Sequence, residues 1–284
     1  MKRFIRSAFV VTVFVFPAAA QSSPQPAASP TPQATHQSSL EKEFIKNIFH
    51  DQKEIWTSPF SLEKGDAKWA VPFALGTAGL IATDRYTSDW VRQGGDLPDW
   101  SHNTSWFGKA YATGGVAAGF YLAGKAFHNQ KASETGLLAG EALIDTGIVT
   151  EVLKVTARRE RPSAGNERAE FFDGGSSFPS GHSSTVWSVA TVVAYEYQKN
   201  PWIKYGAFAA ATAVSLSRFS GRNHFLSDIV IGSAIGFGVG RFVYKERHDP
   251  DLDQPQPKKT SWLKPMVVPF YDRGTFGGSV MWHF

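Results

Sequence analysis

Long apolar stretches, separated by turn-rich segments, run through the middle of this chain. The stretches cover residues 69–83, 110–124, 137–153, 183–195, 205–217 and 229–240. An amphipathic segment precedes them, with Phe44, Ile48 and Ile55 among charged residues over 40–56. Glycine, proline and serine mark the breaks at 94–98 and 174–177. Because no two-residue alternation appears between residues 40 and 244, we predict an all-α fold, a bundle of about six core helices.

The N-terminal segment differs in composition from the helical middle. Residues 1–20 combine Lys2, Arg3 and Arg6 with an apolar run and three alanines, which predicts a signal peptide and an exported protein, periplasmic or in the cell envelope. A retained anchor helix is the alternative. Residues 21–39 are rich in Pro, Ser and Gln and carry no charge, so we expect a disordered linker there.

The composition changes a second time at the C-terminal end of the helical part. We place the helical domain at residues 40–248 and a polar linker with a tail at residues 249–284. Within the tail, residues 266–271 and 275–284 are expected to pair as a short β-hairpin around residues 272–274. One hairpin cannot close a membrane barrel, so packing against the bundle is the favoured interpretation.

Charge argues against a nucleic-acid partner. Without the three basic residues of the predicted leader, the formal net charge falls from +4 to +1. The chain contains no cysteine and therefore no disulfide.

The lengths of the apolar runs and the spacing of the glycines do not decide whether the helices enter a membrane. The longest charge-free runs, 69–83 and 110–124, are shorter than the roughly 20 residues of a spanning helix. However, Gly232, Gly236 and Gly240 recur every fourth residue, as do Gly115 and Gly119, a spacing typical of closely packed helices in membranes and also in soluble bundles. We expect a soluble or membrane-resting bundle, with insertion as the alternative; the oligomeric state is not predicted.

Three short strings in the second half carry the candidate chemistry. They are Lys154-x6-Arg161-Pro162, Pro179-Ser180-Gly181-His182, and Ser217-Arg218-x5-His224-x3-Asp228. The second runs from a flexible loop into an apolar helix, where unpaired backbone N–H groups attract anions. In the third, His224 and Asp228 share a helix face, so the carboxylate can fix the imidazole tautomer. Together the strings predict a site for a tetrahedral oxyanion, with no metal required.

Each string has a simpler explanation when taken alone. Cations near a helix end offset its dipole, serines cap helices, and histidine–aspartate pairs are common on surfaces. The acidic residues Glu134, Glu141, Asp145 and Glu151 are expected to pair with cations such as Lys154, Arg158 or Arg159, although a proton relay or metal ligation is an alternative.

In order and spacing the three strings resemble the signature of the type 2 phosphatidic acid phosphatase and vanadium haloperoxidase superfamily, in its bacterial exported branch. The resemblance extends over roughly residues 65–245. It implies that His224 attacks phosphorus, that Asp228 holds its ring, and that His182 acts as acid and then as base. It further implies that the phosphoryl oxygens are held by the remaining motif residues, Lys154, Arg161, Ser180, Gly181 and Arg218.

We therefore expect a phosphatase that hydrolyses a phosphate monoester or pyrophosphate through a phosphohistidine without a cofactor. The expected partner is a phosphorylated lipid or a small phosphate ester, at or near a membrane surface. The alternatives are a haloperoxidase that holds vanadate in the same pocket, a soluble non-specific acid phosphatase, and an envelope protein that merely binds an anion. A serine hydrolase using Ser180 is disfavoured, because the serine lacks a nucleophile-elbow motif.

Overall fold

In the computed structural model of the chain, the described residues are 32–61, 65–93, 110–164, 169–253, 266–272 and 275–281. The predicted signal peptide and residues 21–31 of the predicted linker lie outside them. The described helices are α1 (Pro32–Thr57), α2 (Ala67–Gln93), α3 (Ala110–Ala126), α4 (Gln130–Ala157), α5 (Gly181–Glu196), α6 (Pro201–Ser220) and α7 (Leu226–Arg247). Helices α2 to α7 are the six predicted core helices and α1 is the amphipathic segment, so the all-α prediction is confirmed.

Helix α1 begins earlier than the sequence pattern predicts. It starts at Pro32, within the segment that we assigned to a disordered linker up to residue 39. Proline is favoured in the first helical turn, where its missing N–H costs nothing, and the residues that follow it up to Leu40 include no further proline or glycine. The helical backbone therefore extends beyond the amphipathic stretch that the apolar spacing identifies.

Helices α4 to α7 form the centre of the bundle. Helix α5 packs along α7, and also against α4 and α6, while α3 packs on α4. Leu138 of α4, Val192 of α5 and Val243 of α7 are fully buried in the shared apolar core. Because α4, α5 and α6 are joined in an up-and-down order, the C-terminal ends of α4 and α6 and the N-terminal ends of α5 and α7 lie at one end of the bundle.

The predicted hairpin in the tail is also confirmed. Strand β1 (Met266–Asp272) pairs antiparallel with β2 (Thr275–Met281), and Asp272 lies opposite Thr275 beside the turn.

One helix in the described part of the chain, α7, has the length and hydropathy of a membrane span, and 44% of its most apolar window is buried against other helices. Core helices of soluble bundles share these properties.

The glycine row on α7 brings its backbone against α5. A Cβ built on Gly236 would lie 2.1 Å from the carbonyl oxygen of Ser184, and one on Gly232 would lie 2.6 Å from that of Ser180. Gly115 on α3, in contrast, faces open space within the described part of the chain. The row on α7 is therefore a packing surface, and it holds α7 close to the segment that begins α5.

We expect Gly236→Ala to destabilise the fold by about 1–3 kcal/mol, because the added methyl group must push two backbones apart. Gly238→Ala is the matched control. It adds the same methyl group two residues away, where no atom of the described residues outside the local helix backbone lies within 4 Å, and should be neutral or slightly stabilising. Urea unfolding of both variants measures the difference. Equal midpoints for the two would contradict the close-packing explanation.

Candidate active site

All eight predicted site residues lie at the end of the bundle where α4 and α6 finish and α5 and α7 begin. Ser180 N–H donates to the carbonyl oxygen of Asp228 at 3.0 Å, which joins the second string to the third. The Lys154 ammonium lies over Gly181, because a Cβ built there would be 2.9 Å from its Nζ atom. The structure thus brings residues from all three strings together.

Ser180 is the N-cap of α5. Its hydroxyl oxygen accepts from Ser183 N–H at 3.4 Å and from the Ser183 hydroxyl at 3.1 Å, and the residue is fully buried. Helix α5 therefore begins at Gly181, and its first N–H groups face the cations of the site. A helix start of this kind favours a bound anion.

Three cations surround this helix start. Lys154 forms an ion pair with Glu151 at 2.6 Å, and Arg161 donates to the Ser176 hydroxyl at 3.4 Å. Arg218 is buried, and its Nε atom meets no hydrogen-bond partner in the described part of the chain. Burial, aided by Arg161, lowers the pKa of Arg218 to about 10, so the guanidinium stays charged at neutral pH. The site holds more positive than negative charge.

His182 follows the cap residue and lies within electrostatic reach of all three cations. Burial lowers its pKa to about 3, and the charges of Arg218, Lys154 and Arg161 and the ring of His224 act in the same direction. Its Nε2 atom is buried and meets no hydrogen-bond partner among the described residues. The imidazole is therefore neutral at neutral pH, and a bound anion would favour its protonation.

His224 lies in the loop that enters α7 and is 3% exposed. Its Nδ1 atom is 2.7 Å from the carbonyl oxygen of Ser177, whereas the nearest oxygen of Asp228 is 3.7 Å away, beyond hydrogen-bond range. A carbonyl only accepts, so Nδ1 carries the proton and Nε2 keeps its lone pair. Burial lowers the pKa of His224, against the opposing effect of the Asp228 carboxylate.

The sequence interpretation gave the ring contact to Asp228, whereas in the structure the Ser177 carbonyl makes it. Asp228 instead accepts from the Ser177 hydroxyl at 2.5 Å and from Phe225 N–H at 2.9 Å. The same carboxylate accepts from Arg159 at 2.6 Å. Although burial alone would raise the pKa of Asp228, the nearby His224, Arg159 and Ser177 groups lower it, so the carboxylate is ionised.

Sequence reasoning missed three of the residues behind this arrangement: Asp84, Ser177 and Ser227. Arg159 was noticed only as a cation near a helix end. Asp84 offered one signal, because it is the first charged residue after the apolar run of 69–83. Its partners lie far away in the sequence, and no local spacing identifies them.

Carboxylate groups that resemble metal sites lie elsewhere in the described part of the chain. Two groups of three residues qualify by proximity: Asp51 with Glu141 and Asp145, and Glu134 with Glu196 and His248. Burial and the nearby Asp51 carboxyl raise the pKa of Glu141 to about 9. Against the effect of burial, the carboxylates of Glu134 and Glu196 raise the pKa of His248 to about 10. Neither group includes a residue of the three strings.

A cavity of about 300 Å³ lies next to the side chain of Arg159. Ile81, Ala82 and Phe171 supply its apolar wall, and Arg85 and Glu170 also line it. Phe171 also covers the guanidinium of Arg159, whose central carbon is 4.6 Å from the ring centroid. The cavity therefore shares a wall with the residues that surround Asp228.

Comparison with known proteins finds similarity between part of this helical domain and phosphatases. Residues 135–250 match the family model of the PAP2 superfamily. A PA-phosphatase related-family protein of Dictyostelium discoideum is 31% identical over 147 residues, 45% of this chain and 54% of that protein. The lipid A 1-phosphatase of Porphyromonas gingivalis is 35% identical over 69 residues, 24% of this chain and 16% of that protein. The chain thus spans about half or less of the curated relatives it matches.

Among solved structures, the transmembrane PAP2-type phosphatidylglycerolphosphate phosphatase from Bacillus subtilis has the same fold. It superposes with a TM-score of 0.50 and 22% identity, and the match covers 63% of this chain and 96% of that one. This likeness concerns the arrangement of helices.

We expect anion binding to be linked to proton uptake by His182. Burial and the surrounding cations lower its pKa to about 3; a bound anion offsets those cations and raises the pKa. Sulfate, whose charge is constant near neutral pH, should therefore bind up to about tenfold more tightly for each unit that the pH falls below the pKa in the complex. Isothermal titration calorimetry in buffers of different ionisation enthalpy measures the proton uptake.

His182→Asn is the matched variant for this linkage, since it keeps a polar side chain but cannot bind the proton. It should take up fewer protons with sulfate than the wild-type protein. Identical proton uptake in both proteins would assign the linkage to another group, such as His224.

Proposed function

We propose that this chain, whose residues 135–250 match the family model of the PAP2 superfamily, is a phosphatase that cleaves a phosphate monoester or pyrophosphate through a phosphohistidine. The observation that carries the proposal is the convergence of two histidines and three cations on the capped start of α5. Fixed positive groups of this kind stabilise the charge that spreads over phosphoryl oxygens in the transition state.

The chemistry follows from the two imidazoles. His224 Nε2 uses its lone pair to form a bond to phosphorus as the bond to the leaving oxygen breaks. His182, protonated in the presence of the phosphate, donates its proton to that oxygen. Neutral His182 then takes a proton from water, whose oxygen attacks the phosphohistidine and releases phosphate and free His224. The cations Lys154, Arg161 and Arg218 and the N–H of Gly181 hold the phosphoryl oxygens, and the Ser180 hydroxyl adds to them if it turns from its capping role.

We propose a lipid phosphate as the substrate class. The curated relative from Porphyromonas gingivalis is a lipid A phosphatase and the solved neighbour a phosphatidylglycerolphosphate phosphatase. In this chain, exposed apolar side chains on α2, such as Trp69 and Leu75, offer a surface for the hydrocarbon part of such a molecule. A small soluble ester is the alternative, and a substrate panel of phosphatidate, undecaprenyl pyrophosphate, lipid A and p-nitrophenyl phosphate separates the two.

We further propose that the protein is exported and rests on a membrane. The first half of α2 carries large apolar side chains on a surface that other described helices leave uncovered, with Trp69 at 74% and Leu75 at 68% exposure. Val71 and Phe73 between them are also exposed. A water-facing helix would carry polar residues at these positions, whereas a lipid surface accommodates them.

His224→Ala should abolish phosphate release, because it removes the nucleophile, and should leave the fold intact. A rapid acid-free quench of the wild type with a ³²P-labelled substrate should trap a phosphoryl group on His224, and it should do so in EDTA, since the cations replace a metal. The matched control is His50→Ala, which removes an exposed histidine from α1.

Wild-type rates in His224→Ala would reject the histidine intermediate, and loss of turnover in EDTA would reject the metal-free mechanism. Bromide oxidation by the wild type with vanadate and peroxide would instead favour the haloperoxidase alternative.

The double substitution Trp69→Glu with Leu75→Glu should move the protein from the membrane fraction to the soluble fraction, because two charges cannot enter a lipid surface without a large desolvation cost. Thr57→Glu, at an exposed polar position of α1, should leave the distribution unchanged. Sedimentation with phospholipid vesicles measures binding. Recovery of the wild type wholly in the supernatant would contradict the proposed lipid contact.

A further inference from the structure

Arg159 is a buried cation at one of the six unspecified positions of the first string, and its exposure is 0%. One terminal nitrogen donates to Asp228 Oδ1 at 2.6 Å and to the Ser227 hydroxyl at 2.7 Å. The other donates to Asp84 of α2 at 2.8 Å. Burying a guanidinium costs several kcal/mol unless its partners are well placed, so this network needs both carboxylates.

The packing around the guanidinium fixes its plane as well as its charge. The rings of Phe171 and Phe225 cover it, with centroids 4.6 Å and 4.3 Å from its central carbon. Its Nε atom donates to the carbonyl oxygen of Ala169 at 3.3 Å. Asp84 is held in turn by the N–H of Ser227 at 3.1 Å. These contacts leave the Arg159 side chain a single orientation.

The network reaches the His224 ring through Ser177. Asp228 accepts from the Ser177 hydroxyl at 2.5 Å, and the Ser177 N–H donates to the Arg159 carbonyl oxygen at 2.8 Å. Ser177 is thus held at its side chain and at its backbone, and its carbonyl oxygen accepts from His224 Nδ1 at 2.7 Å. A continuous path of hydrogen bonds therefore runs from Asp84 on α2 through Arg159, Asp228 and Ser177 to the imidazole.

We infer that Asp84, Arg159 and Ser177 are positioning residues, which act through this path to hold the His224 ring with Nδ1 protonated and Nε2 free to attack. The inference rests on the proposed function for its kinetic consequence, but the tautomer of the ring is independent of turnover. It gives α2 a part in the reaction, although α2 contributes none of the predicted site residues.

A purely structural role for the network predicts lower stability and unchanged kinetics of the folded fraction. A positioning role predicts a lower kcat with nearly unchanged KM, because the phosphate-binding groups stay in place while the nucleophile loses its alignment. We expect Ser177→Ala and Asp84→Asn to lower kcat by about 10- to 100-fold, the loss typical of a misplaced reacting group.

Two arginine variants complete the kinetic test. Arg159→Lys keeps the charge but cannot reach both carboxylates and should show the same loss of kcat. Arg158→Lys makes the same change in the adjacent, exposed arginine and should match the wild type. Ser177→Ala leaves no buried charge unpaired, so it keeps the test decisive if Arg159→Lys does not fold.

The tautomer of the His224 ring can be measured directly by NMR spectroscopy. In protein labelled with ¹⁵N-histidine, the wild-type His224 signal should show a protonated Nδ1 and a free Nε2, and Ser177→Ala and Asp84→Asn should shift it towards a mixture of tautomers. An unchanged tautomer in both variants, or an unchanged kcat, would overturn the inference. If the wild type hydrolyses no phosphate ester, the proposed function fails, while the tautomer comparison still decides the positioning role.

Discussion

The close approach of α7 to α5 is the constraint on which the candidate site depends. Gly232 and Gly236 let the α7 backbone lie against Ser180 and Ser184 without an intervening side chain. Since Ser180 begins α5 and Asp228 lies in the first turn of α7, this contact places two helix N-termini side by side. A larger residue in the row would move the N-cap of α5 away from the loop that carries His224.

Two helix starts and three cations at one place create an unbalanced positive potential. Two of the cations have partners in the site: Lys154 forms an ion pair with the Glu151 carboxylate, whereas Arg161 donates to the Ser176 hydroxyl, which carries no charge. Burial is the main cause of the low pKa of His182, and the surrounding positive charge lowers that pKa further. In the proposed mechanism, an incoming phosphate relieves this repulsion and allows His182 to become an acid, so substrate binding and activation of the acid would be one electrostatic event.

The sequence predicted the core helices and the residues that come together at the candidate site, but it did not predict every contact among those residues. Helical periodicity identified all six core helices because each has a long apolar run. The three strings lie at helix ends on one side of an up-and-down bundle, and this topology brings them together. The start of α1 was missed because the residues from Pro32 to Leu40 carry no apolar repeat to mark it. The acidic residues of α4 illustrate the limit: Glu151 does pair with Lys154, whereas Glu141 pairs with Arg247, far along the chain and on another helix.

The acceptor for His224 shows why a motif specifies residues more readily than geometry. Four-residue spacing predicts that His224 and Asp228 share one side of a helix, yet His224 precedes α7, and Asp228 uses its oxygens to cap that helix and to hold Ser177 and Arg159. A carboxylate that closes a helix N-terminus cannot also reach outwards to a ring in the preceding loop at full hydrogen-bond contact. A backbone carbonyl takes that place, and every residue has one, so sequence alone could not identify it. The ionised carboxylate still acts on the imidazole through its charge and through the loop that it holds in position.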